Sequence, residues 1–157
     1  MIAEHINPFL TSLANTMQTM LGCSLQRGKL MLKSDHVTMH DYSGVIGLTG
    51  KAVGTVVVSL SKEMAIKATC KLLEAEESEI TPEDIIDAVG ELANVVAGGA
   101  KAQLEEYEMS VSLPTVITGQ GHQVMFPSEV TPLVAPYESE WGPLTLEFGM
   151  TPMKVNA

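Results

Sequence analysis

The run from Thr81 to Glu106 constrains this chain more than any other part of it. At ~100° per residue, with Ile85 at zero, its apolar residues gather on one side of a helix. Ile86, Val89, Leu92, Ala93, Val96, Ala97, Ala100 and Leu104 fall within an arc of roughly 140° centred near 50°. So broad a face has to be buried against something. The segments before and after it read with period two, so the partner is a sheet.

The rest of the chain supplies that sheet. Extended segments are expected at about 24–32, 37–39, 42–48, 53–60, 110–113, 124–126, 131–137 and 144–150. Thr49-Gly50-Lys51-Ala52 reads as a hairpin turn, and Val56-Val57-Val58, apolar on both faces, suits a central strand. The alternation is clearest at the end, where Leu144, Leu146, Phe148 and Met150 are separated by Thr145, Glu147 and Gly149.

Three helices are expected. Asn7-Pro8 reads as an N-cap with proline at the first helical position, ahead of Phe9, Leu10, Leu13, Met17, Met20 and Leu21, with Gly22 as the stop. Ser61 caps a second helix over about 62–73, with Met64, Ala65, Ala68 and Leu72 inward. After an acidic connector at 74–79, Thr81-Pro82-Glu83-Asp84 opens the long helix, which is expected to end near Glu106. The pattern is α+β: helices packed on a largely antiparallel sheet, in one domain spanning 1–157.

Composition narrows the function. Nine basic against nineteen acidic residues give a net charge of −10, and no basic stripe interrupts that field. Nucleic acid and anionic membrane surfaces are therefore excluded as partners, and a basic protein surface or a conspicuous lysine is favoured. The N-terminus has no signal-peptide pattern, and no apolar run approaches the ~18 residues of a membrane span. The expected location is the cytoplasm. Cys23 and Cys70 are isolated and read as reduced core residues. His36, Thr38 and His40 would share a strand face, but no third ligand is identifiable, so no metal site is expected. Trp141, beside Gly142-Pro143, reads as a structural residue at a turn. Dinucleotide, P-loop, zincin and nucleophile-elbow motifs are all missing.

What remains is the outward stripe of the long helix. Asp87, Glu91, Asn94, Gly98, Lys101 and Glu105 fall between roughly 160° and 240°, which makes Glu91 and Asn94 neighbours one turn apart. A carboxylate there can grip a cation on another molecule. A carboxamide does not titrate, but its oxygen can accept a water proton while its NH₂ donates elsewhere. Each mid-helix glycine costs about 1 kcal/mol against alanine. Gly99 lies near the edge of the core face, where close packing accounts for it. Gly98 lies on the stripe, where only the close approach of another molecule would. The plainer alternative is a solvated face, with Asp87 supporting the first turns and Lys101 paired to Glu105 at i,i+4.

The segment Glu91-Leu-Ala-Asn94-Val-Val-Ala-Gly-Gly-Ala-Lys101, followed by Ser-Leu-Pro114-Thr, resembles the CheC/CheX/FliY phosphatase family of bacterial chemotaxis. That family carries ExxN on a long helix with a proline about twenty residues later and an acidic or serine residue four before the glutamate. Glu91, Asn94, Pro114 and Asp87 match. The Ile6-Asn7-Pro8-Phe9 opening and the length look like the CheX branch. Leu13-Ala14-Asn15 echoes Leu92-Ala93-Asn94, yet Ser12 stands where a second glutamate would, which implies one active site per chain. Glu4-His-Ile-Asn7 also spells ExxN, with Asn7 read as the cap.

The resemblance implies a phosphatase for the phospho-aspartate of a CheY-type response regulator, with Asn94 orienting the attacking water and Glu91 docking the regulator's lysine. Asp87, Gly98 and Lys101 would be further partner contacts. No cofactor of its own is implied, Mg²⁺ being supplied by the regulator. A homodimer is also implied, paired through strands near the C-terminus. The competing reading is a non-catalytic regulator-binding or motility-apparatus module of the same fold.

Overall fold

Two hairpins joined side by side make the centre of the sheet. In the computed structural model, which describes residues 3–33 and 40–153, β3 (Tyr42–Thr49) turns through Gly50-Lys51 into β4 (Ala52–Leu60). Strand β7 (Leu133–Glu138) turns at Glu140-Trp141 into β8 (Leu144–Pro152). Antiparallel pairing of β4 with β8, from Ala52 opposite Pro152 to Leu60 opposite Leu144, unites them. The edges are short: β1 (Gln26–Arg27) and β2 (Met31–Leu32) on β7, and β5 (Ser110–Val111) and β6 (Thr115–Thr118) on β3.

Helices α1 (Ala3–Leu21), α2 (Lys62–Leu73) and α3 (Pro82–Lys101) cover one face. Their apolar sides bury Phe9, Leu13, Met17, Met64, Leu92 and Val96 against Ile46, Val56, Val58, Leu146 and Phe148. Phe9 and Phe148 stack with ring centroids 4.0 Å apart, which ties the first helix to the last strand. Both caps read from sequence are made. Ser61 Oγ accepts from Met64 N at 3.3 Å, and Thr81 and Asp84 form a capping box. The architecture is α+β, and Val56, Val57 and Val58 are fully buried on the central strand β4.

Several expectations need correction. Helix α1 runs through Asn7 and Pro8 instead of beginning there, because His5 and Ile6 gain enough burial to carry the helix a turn further upstream. Asn7 is an exposed helical residue, not a cap. Helix α3 stops at Lys101, five residues short of the expected end, and a 3-10 turn at Glu105–Tyr107 follows. The extended run at 24–32 breaks into β1 and β2, and 124–126 is irregular. The run at 110–113 ends early, and β6 forms after Pro114 instead. Residues 37–39, with His36, lie outside the described residues. Strand β8 pairs with β4 along its whole length and with β7 over Leu144–Phe148. Among the described residues the outermost strands of the sheet are β1, β2, β5 and β6.

The face away from the helices is not left polar. Residues of the 119–132 segment cross it, with Phe126 and Val130 seated over Gly149, where a Cβ would collide with both. Beneath them Glu147, fully buried on β8, pairs with Lys33 at 2.7 Å. His122 bonds Ser43 Oγ at 2.6 Å, and Ser43 bonds Ser59 at 2.9 Å.

Candidate functional site

The sequence places the acid–amide pair on α3, and the fold fixes the backbone beneath it from three directions. Strand β3 lies directly under the turn. A Cβ at Gly44 would come within 2.7 Å of Ala93 Cβ and 3.1 Å of Val89 O, so glycine is what lets helix and strand close up there. On one flank Pro114 and Val116 stand 3.4 Å from the place a Gly90 Cβ would occupy. On the other, Ser12 Oγ of α1 donates to Val96 O at 2.7 Å. Pro114, about twenty residues away in sequence, thus touches the helix at the residue before Glu91.

Glu91 and Asn94 are exposed on this braced surface, and neither side chain bonds any described residue. Asp87 and Lys101 are exposed on the same stripe. The expected pairing of Lys101 with Glu105 is not made, because the helix ends between them, and Lys51 pairs with Glu108 nearby at 3.3 Å. Asp87 and Glu91 line a cleft of about 320 Å³ with Leu72, Leu73, Asp84 and Ala88. Gly98 and Lys101 border a second depression of about 450 Å³ with Leu104, Glu105 and Glu108.

The two glycines have different explanations. A Cβ at Gly99 would sit 2.5 Å from Ser12 Oγ, so that glycine is required by the α1–α3 contact. A Cβ at Gly98 would meet nothing within 4 Å. Opposite effects on stability are expected from the two alanine variants, read by urea unfolding. Gly98→Ala should gain about 1 kcal/mol of helix propensity. Gly99→Ala should lose about 1–3 kcal/mol, because Ser12 must give up its buried bond or the helices must part.

Ser12 also bears on the echo of Leu92-Ala93-Asn94 in α1. Where a second glutamate would stand, its side chain is turned inward and consumed by helix–helix packing, while Asn15 is exposed. Among the described residues no group of three His, Cys, Asp or Glu could hold a metal, and none of their helices is long and apolar enough to cross a membrane. Burial pushes the pKa of His40 below its ordinary value. Sequence reasoning missed the apolar residues flanking the stripe, Leu73 and Leu113, which are 52% and 89% exposed. It also placed Ile86 in the core, whereas Ile86 is exposed near the helix start. The position of Leu113 ahead of Pro114 was a usable signal; Leu73 carried none.

An α+β fold with an outward acid–amide pair on a braced central helix describes a known class of domain. The family model for the chemotaxis phosphatase CheX matches residues 42–138, and the chain belongs to that family. It is 31% identical over 122 residues to the CheY-P phosphatase CheX of Thermotoga maritima, covering 76% of this chain and 79% of that protein. The crystal structure of chemotaxis protein CheX from Vibrio vulnificus superposes with a TM-score of 0.87 at 32% identity, covering 95% of this chain and all of the other. A more distant neighbour in fold, at 21% identity and TM-score 0.77, is the Borrelia burgdorferi CheX–CheY–BeF3–Mg²⁺ complex; the match covers 93% of this chain and 97% of the other.

Proposed function

We propose that this chain hydrolyses the aspartyl phosphate of a CheY-type response regulator, and that Asn94 and Glu91 carry the activity. The observation behind this reading is that both side chains stand free on a surface the fold holds rigid. An acyl phosphate is already activated, and the regulator brings its own aspartate, lysine and Mg²⁺. What it lacks is a water held in line behind phosphorus. Asn94 supplies that: its carbonyl oxygen accepts one proton of the water while the NH₂ donates to a neighbouring acceptor, fixing the lone pair toward phosphorus. GTPases use a glutamine amide in a comparable water-positioning role.

Glu91, one turn earlier, pairs with the regulator's lysine and sets the depth to which the helix enters the cleft. Asp87, Gly98 and Lys101 extend the contact along the same stripe. The Thermotoga maritima relative's name and the Borrelia burgdorferi complex support a regulator as partner, beryllofluoride being a phosphoryl mimic. The test is phosphate release from a regulator phosphorylated with acetyl phosphate or phosphoramidate, with and without this chain. Faster release at substoichiometric chain is the expected result. Unchanged release from every candidate regulator would leave only the non-catalytic binding reading.

A further inference from the structure

We infer that the ridge bearing Glu91 and Asn94 has two apolar shoulders, Leu73 on one side and Leu113 on the other, and that both dock on the phosphorylated receiver domain. The inference rests on the reading of the site given above. Its origin is a clustering of exposed apolar residues. Seven large hydrophobic residues are exposed among those described, and three of them, Leu73, Ile86 and Leu113, flank the N-terminal half of α3. Scattered exposure of single leucines is ordinary; convergence on one ridge is not.

The shoulders are held on opposite sides. Leu113 precedes Pro114, which packs at Gly90, about 140° around the helix from Ile85. Its loop is rigid: Ser112 N donates to Gly47 O at 2.9 Å, and Gly47 N donates to Ser112 Oγ at 2.8 Å. A leucine that is 89% exposed next to a serine tied to β3 by both its N–H and its hydroxyl is presented outward, not lost from a core. Leu73, at the end of α2, lines the cleft with Ala88 and Glu91, at about 240–300° on the same wheel. The acid–amide stripe runs between them.

The chemistry of the surface specifies the occupant. Asp87 and Glu91 have no cation partner among the described residues, while the cleft floor is aliphatic. A lysine- or arginine-bearing surface satisfies both, its methylenes on Leu73 and its charge on the carboxylates. The receiver domain that offers its lysine to Glu91 must cover the ground on either side of the ridge, so the shoulders are continuous with that contact. Burying them excludes water from around the pair, which strengthens it.

Leu73→Ser and Leu113→Ser test this, using a purified CheY-type receiver domain activated with Mg²⁺ and beryllofluoride. Both residues are exposed, so thermal unfolding should change little in either variant. Each substitution should raise Kd by ~10-fold and raise KM for phosphate release in parallel, with kcat at saturation unchanged. Binding and KM within twofold of wild type in both variants would overturn the proposal while leaving the catalytic reading intact. A change of oligomeric state with unaltered receiver binding would overturn it too, assigning the face to a second copy of the chain. Should the wild-type chain neither bind nor dephosphorylate any receiver, the catalytic reading falls and takes this one with it. Asn94→Ala separates the two: it should bind the activated receiver normally and fail to release phosphate.

Discussion

Replacing Asn94 with alanine should cut regulator dephosphorylation by ~10²-fold, equivalent to about 2.7 kcal/mol at the transition state. Binding of the beryllofluoride-activated receiver should change little, since in the proposed mechanism the amide acts on a water and not on the protein surface. Stability should be unaltered to within about 0.5 kcal/mol, because the side chain is exposed and bonds no described residue. Glu91→Ala should behave differently. In the proposed complex its removal would leave the receiver's lysine desolvated and unpaired, which costs about 2–5 kcal/mol when such a pair is buried at an interface, far more than the ~0–1 kcal/mol of an exposed pair. Binding and turnover should both collapse. The two variants together thus separate positioning of water from positioning of the partner. Single-turnover decay of the phosphorylated receiver, read alongside equilibrium binding, measures each. A wild-type decay rate with Asn94→Ala would remove the mechanism whatever the outcome for Glu91.

The face of α3 was legible because a single period governs it. The residues of the outward stripe neighbour one another at three and four residues' spacing, so an error of one position would have put Val95 or Leu92 into solvent. Gly98 and Gly99 could be told apart for the same reason, and the collision of a Gly99 Cβ with Ser12 matches the reading of that position as a packing glycine. Local signals failed where burial overrode them. Asn7-Pro8 has the form of a helix start, but Ile6 is fully buried and holds the helix in place upstream of the proline. The helix end failed conversely: Leu104 is buried, so it kept the apolar rhythm alive in sequence after the hydrogen-bonded spiral had stopped at Lys101. The shoulders of the ridge come from elements distant in sequence, α2 and the loop before β6, and no period connects them to α3. The functional roles along the stripe were read from resemblance and not from the period, since an exposed acid and amide carry the same pattern whether or not a partner uses them.

Period two also hid a buried ion pair. In β8 the alternation marks Thr145, Glu147 and Gly149 as the solvent face, yet Glu147 is fully buried. The segment that buries it arrives from 119–132 and carries no strand pattern. The one hint was Gly149, a glycine inside a strand, which marks close approach of other chain atoms. Lys33 meets Glu147 with Nζ 2.7 Å from Oε1 and 3.3 Å from Oε2, donates to Val124 O, and lies 5.1 Å from the Phe126 ring centroid. Lys33→Met should therefore destabilise the protein by about 3–5 kcal/mol, because it strands an ionised carboxylate in the interior. Lys33→Met with Glu147→Leu should recover most of that loss, since an apolar pair of similar volume carries no desolvation penalty. The dependence on pH fixes the sign. Burial already pushes the Glu147 pKa above its ordinary value, with Lys33 opposing. Its contribution to stability is accordingly greatest below the unfolded carboxylate pKa, and it declines as pH rises through the folded value. Without Lys33 the folded value rises further. Acidification from neutrality should then narrow the stability gap between the single and double variants, measured as urea midpoints at a series of pH values. A gap that widened on acidification, or a single variant as stable as wild type at neutral pH, would mean that Glu147 is not held as a buried anion by Lys33.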